Sequence, residues 1–141
     1  MDRKAAAAAL HAKGYNCSQA IACAFADRVA MSEEDLFRVM EGFGLGMGGM
    51  RGTCGAISGA VAIVGLMNSK GSADVENKTD TYRIVKQIAT EFEKRNGVST
   101  CHELKGVESG HMIRRCSGCI NDVVEILETV LDSTFPPEGE E

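Results

Sequence analysis

Apolar residues recur along this chain at three- and four-residue spacing, and no run alternates long enough to make a strand. The pattern predicts helices throughout. Residues 2–13 are alanine-rich and stop at Gly14. Asn16 is a good N-cap for a second helix over 16–30, with Ala20, Ile21, Ala24, Phe25 and Val29 facing a core. Ser32 and Asp35 resemble a capping box, and Glu33 and Glu34 suit the positive end of a third helix reaching Gly42. A glycine-rich stretch, 42–52, follows. Thr53 is placed to cap a fourth helix over 54–67, which is apolar nearly all round and therefore central. A long amphipathic helix over 74–96 carries Tyr82, Val85, Ile88, Ala89 and Phe92 on one stripe and ends at Gly97. Ser99 is placed to cap a short helix over 101–104, and a last helix spans about 115–131. The expectation is an all-α fold: one compact bundle of five to six helices, with the glycine-rich loop leading into the central one. Residues 1–134 form a single domain in this reading, and 135–141, with Pro136 and Pro137, an acidic tail.

Composition changes the picture at one point. The chain has 141 residues, 44% hydrophobic and 25% charged, so it can bury a core without disulfides or metals as props. Yet it carries six cysteines and sixteen glycines against two prolines. Its net charge of -5 and the lack of a basic stripe argue against nucleic-acid binding. The most apolar segment, 56–67, is a dozen residues long, short of the roughly twenty a membrane span needs. The N-terminal alanines are cut off by Lys13 and Asn16 and make a poor export signal. These features predict a cytoplasmic protein that does not span a membrane, in a compartment that keeps thiols reduced.

Two glycine and cysteine patterns invite chemistry. Gly44, Gly46 and Gly49 satisfy the dinucleotide fingerprint as a string, but no strand precedes them, and the stretch is better read as a tight connection. That connection delivers Cys54 to a helix start. If Thr53 caps, Cys54 is the first helical residue, where free N–H groups and the helix dipole favour a thiolate. Arg51 stands ready to add charge, and Gly55 and Gly59 let a neighbouring helix come close. The bland alternative is a small buried side chain. Cys17, after the Asn16 cap, repeats the helix-start arrangement, while Cys23 reads as core. Cys101 and His102 are adjacent and could make a thiolate–imidazole pair or two metal ligands. Cys116-Ser-Gly-Cys119 is a CxxC without the usual strand–turn–helix context, with Arg114 and Arg115 poised to stabilise thiolates. His11 and His111 are isolated and read as exposed.

Together these elements resemble a family of redox-active bacterial and archaeal proteins of similar length, named C_GCAxxG_C_C for its cysteine pattern. Tyr15-Asn16-Cys17-Ser18-Gln19-Ala20 is similar to its first element, 42–52 to its glycine–methionine loop, and Cys54-Gly55-Ala56-Ile57-Ser58-Gly59 to its signature. Cys101-His-Glu-Leu-Lys-Gly106 resembles the third element, and Cys116 through Leu127 the fourth. The resemblance implies a helical fold, a redox or metal role, and a working set of Cys17, Cys54, Cys101 and Cys116. Cys23 and Cys119 become extras, although Cys119 competes with Cys116 for the fourth place.

Three readings follow. In the first, the thiols perform thiol/disulfide exchange or electron transfer. Cys54 is then the nucleophile and Cys101 or Cys116 resolves it, with a redox partner protein or a small thiol as co-reactant. In the second, Cys17, Cys54, Cys101 and Cys116 hold zinc or an iron–sulfur cluster. In the third, the chain is a structural or adaptor bundle with merely buried thiols. The small faces of Gly55 and Gly59 and the apolar excess also make a homodimer plausible.

Overall fold

A computed structural model describes residues 2–136. Seven α-helices run in order: α1 (Arg3–Ala12), α2 (Cys17–Ala24), α3 (Glu33–Met40), α4 (Gly55–Asn68), α5 (Lys78–Asn96), α6 (Cys101–Lys105) and α7 (Cys116–Thr134). The short helix expected over 101–104 forms as Cys101–Lys105, and counted with the rest it makes seven, one more than the upper end of the expected five to six. No helix among the described residues is long and apolar enough to cross a membrane. The expected tail falls largely outside the described residues, although Phe135 itself packs against the core.

The innermost element is α2. Every one of its residues from Cys17 to Ala24 is buried, and it touches α1, α3, α4 and α7. It is shorter than expected, ending at Ala24. Phe25 leaves the helical region at φ -112°, and a 3-10 turn over Ala26–Arg28 follows. At the other end Asn16 accepts from the N–H of Gln19 while the Gln19 side chain accepts from the N–H of Asn16. A reciprocal cap of this kind stabilises a helix start by about 1 kcal/mol.

Helix α4 lies against α2 through its glycines. A Cβ on Gly59 would stand 2.6 Å from the Ser18 carbonyl oxygen, and one on Gly55 would stand 3.3 Å from the Ser18 nitrogen. The close-packing face expected at Gly55 and Gly59 is therefore occupied by α2 of the same chain. It cannot serve as a surface for a second copy. Helix α5 covers the other side through Ile84, Ile88 and Phe92, all fully buried. Ile88 and Phe92 of the expected stripe thus meet the core and Val85 packs against it, while Ile84 takes the place expected for Tyr82. Tyr82 precedes Ile84 by two positions, about 200° round the helix, and is 63% exposed.

Between α3 and α4 the chain makes a 3-10 turn (Glu41–Phe43) and then a wide turn over Gly46–Met50. Three non-glycine residues there are left-handed: Leu45 (φ 54°), Met47 (φ 64°) and Met50 (φ 66°). Each such residue costs on the order of 1 kcal/mol, and strain of this kind concentrates where a backbone is held for use.

Candidate functional site: five thiols at one end of the bundle

The helices bring their starts together. Cys17, Cys101 and Cys116 are the first residues of α2, α6 and α7, and Cys54 is the N-cap of α4. Thr53 does not cap α4 as expected. It forms an isolated antiparallel bridge with Thr100 instead, with Cys54 N–H donating to Ser99 oxygen (2.8 Å) and Cys101 N–H to Gly52 oxygen (3.0 Å). Thr100, not Ser99, is accordingly the residue before α6. The bridge fixes Cys54 and Cys101 side by side. Gly46 closes on the same place: a Cβ there would lie 2.4 Å from Cys101 Cβ.

These segments enclose a cavity of about 180 Å³ whose lining includes Cys17, Cys54, Cys101, Cys116 and Cys119. All four cysteines of the expected set are thus brought together. Cys119, set aside from sequence as an extra, joins them one turn into α7. Cys23 does not. Its thiol faces the Glu33 carbonyl at 3.7 Å, and burial with the nearby Glu33 and Glu34 pushes its pKa up to about 11. Of the five cavity thiols, Cys17 (9%), Cys54 (5%), Cys101 (7%) and Cys119 (3%) are buried; only Cys116 is partly open.

The thiols are engaged in pairs. Cys17 shares a hydrogen bond with Cys116 and Cys119 shares one with Cys54. Within each pair one sulfur takes the charge. The Cys17 hydrogen bond, against opposing burial, and then the Lys105 ammonium lower Cys116 to about 5. Cys17 is pushed up by that hydrogen bond and by burial. In the second pair the hydrogen bond with Cys119 lowers Cys54, again against burial. The N–H groups of Ala56 and Ile57 help, without closing a full side-chain cap. Cys119 is raised by the same bond and by burial. Cys101 has no thiol partner of its own, and burial raises it.

Charged neighbours differ from those expected. Arg51 is exposed and does not line the cavity. Arg115 is exposed, and Arg114 is held by Asp122, Nη2 to Oδ1 at 3.1 Å and Nε to Oδ2 at 3.2 Å. The cation beside Cys116 is Lys105, four residues after Cys101 and therefore on the same face of α6. That spacing was visible in sequence and would have found it. His11 is half-buried and lines the cavity, whereas His111 is exposed. His102 does not join Cys101: it lines a separate depression with Glu103 and Glu108, and its buried Nδ1 has no hydrogen-bond partner.

A zinc ion or iron–sulfur cluster needs at least three donors facing one point. Among the described residues no three His, Cys, Asp or Glu side chains stand so. This arrangement therefore does not fit a resident metal held by Cys17, Cys54, Cys101 and Cys116.

Comparison with known proteins agrees with the cysteine pattern. No curated protein and no solved structure matches the chain. Residues 15–130 match the model of one family, described as "Putative redox-active protein (C_GCAxxG_C_C)", and the matched span runs from before Cys17 to beyond Cys119. With most of its length covered and all five cavity thiols inside the match, the chain belongs to the C_GCAxxG_C_C family.

Proposed function

We propose that this protein is a thiol/disulfide exchange protein that stores electrons in two cysteine pairs, Cys17–Cys116 and Cys54–Cys119. The observation that carries this reading is the single cavity lined by Cys17, Cys54, Cys101, Cys116 and Cys119, four of them at helix starts; within it Cys116 and Cys54 are favoured as thiolates, and Cys17 and Cys119 are held as thiols. That is the ground state from which a dithiol reduces a disulfide. Cys116 is the entry point, because it alone is both ionised at neutral pH and partly open. Its thiolate attacks a substrate disulfide R–S–S–R, forming a Cys116–S–S–R bond and releasing one RS⁻. Cys17 then gives up its proton to the departing thiolate or to water and attacks the Cys116 sulfur. A Cys17–Cys116 disulfide forms and the second RS⁻ leaves. Two electrons pass from two cysteines to the substrate. Cys54, at a helix start as expected, plays the nucleophile's part in the inner pair, with Cys119 as its partner.

Counting thiols tests this reading. Reduced protein titrated anaerobically with diamide should fall from six reactive thiols to two, Cys23 and Cys101, while staying a single-chain species on non-reducing gels. Retention of all six thiols, or losses only through links between chains, would overturn it.

A further inference from the structure

We propose that the five-thiol cavity is a binding site for a small anionic disulfide, with Lys105 as the residue that selects its charge. This rests on the exchange reading and names the substrate class for it. Size comes first. A volume of about 180 Å³ holds about a dozen water-sized spheres, hence a molecule on the order of ten non-hydrogen atoms. Four of the five thiols are no more than 9% exposed, so a disulfide on a protein surface meets Cys116 alone, whereas a small molecule enters the cavity.

Charge comes second. The lining holds Lys105, Arg114 and His11, and among the described residues no carboxylate lines it. Arg114 is neutralised by Asp122. Lys105 has no carboxylate partner among the described residues and is part-buried beside Cys116, its burial outweighed by the neighbouring sulfurs, Cys116 foremost. Once Cys116 attacks and the Cys116–S–S–R bond forms, its thiolate charge is gone while R is still attached, and Lys105 beside it has lost its counter-charge. An anionic group on the substrate supplies that counter-charge. This happens in a chain whose net charge is -5, so attraction for anions is a local property of the cavity. Leu45 and Leu104 offer an apolar wall to the substrate's methylene groups. The covalent step is the one given above, with R carrying a carboxylate.

Three disulfides that share a two-methylene arm on each sulfur test it: 3,3′-dithiodipropionate (anionic), 2-hydroxyethyl disulfide (neutral) and cystamine (cationic). The rate of oxidation of the reduced protein should fall in that order, by at least tenfold from first to last. Lys105→Gln should collapse the spread to within about threefold, while Lys86→Gln, on the exposed face of α5, leaves it. Ratios between substrates cancel any change in the Cys116 thiolate fraction. Should Lys105→Gln fold poorly, raising salt from 0.05 to 0.5 M must compress the wild-type spread in the same way. Equal rates, or cystamine fastest, overturn the anionic selectivity and leave the exchange reading standing. Failure of all three to oxidise any cysteine overturns the exchange reading too.

Discussion

The outer pair, Cys17–Cys116, and the inner pair, Cys54–Cys119, solve one problem in two ways. Each places one cysteine on α7 and its partner at the start of another helix. In the outer pair the thiolate is favoured by hydrogen bonding and by the Lys105 ammonium, and it stands partly open. In the inner pair both sulfurs are buried, and the thiolate is favoured by its partner thiol and by the N–H groups of Ala56 and Ile57. A mobile side-chain charge serves a site that must meet solvent and substrate. Fixed backbone dipoles serve one that must not. In the proposed exchange this difference gives entry to the outer pair and storage to the inner.

The sharpest way to break that assignment is to remove one thiolate at a time. Cys116→Ser should slow the first oxidation by a small disulfide at least 100-fold, whereas Cys54→Ser leaves that first step within about threefold. Stopped-flow rates under excess substrate read the difference. An equal loss in both variants would erase the distinction between entry and storage.

A second comparison sets Cys116 against Cys23. With pKa values of about 5 and about 11, their thiolate fractions at pH 7 differ about 10⁴-fold. The lower-pKa sulfur is intrinsically the weaker nucleophile, which returns part of that advantage. Iodoacetamide should still label Cys116 some ten- to fortyfold faster at pH 7. Labelling of Cys116 should fall off only as pH drops through about 5, and that of Cys23 should rise toward pH 11. Peptide mapping across pH checks both limbs.

Smaller effects test the scaffold that holds the pairs apart. Gly59→Ala puts a methyl group against the Ser18 carbonyl and should destabilise the fold by about 2 kcal/mol, since neither backbone can easily yield. It acts where α2 carries Cys17, so the outer pair should lose its pKa separation before the inner one does. Asp122→Asn frees Arg114 and removes a charged acceptor that Asn96 also uses (3.2 Å). It should cost about 1 kcal/mol by urea denaturation, with Arg114 largely solvated in compensation.

Much of this organisation is legible in the chain. Asn16 and Ser32 cap as their side chains dictate, because capping is a contact within three residues. The closeness of α4 to α2 follows from Gly55 and Gly59, and the helix-start placement of Cys17 and Cys54 follows from Asn16 and the glycine loop. What could not be read is which thiols face each other. Cys119 meets Cys54 only because α7 returns alongside α4 and α2, a long-range arrangement that local spacing does not encode. Thr53 looked like a cap because Ser and Thr usually cap. The bridge to Thr100 competes for it and wins, since it satisfies the backbone of two cysteine-bearing segments at once. Arg114 lines the thiol cavity and acts on Cys119, as its place before the CxxC suggests, but its hydrogen bonds go to Asp122, eight residues on. Similarly, the apolar stripe of α5 begins at Ile84, two positions after the exposed Tyr82.

One measurement bears most directly on the two pairs. Reduced protein is oxidised with one and then two equivalents of diamide, quenched in acid, and its disulfides are mapped by mass spectrometry without reduction. One equivalent should yield chiefly the Cys17–Cys116 link, and two should add Cys54–Cys119, with Cys23 and Cys101 free throughout. Links of Cys54 to Cys101, or Cys116–Cys119 as the dominant product at both ratios, would contradict the pairing.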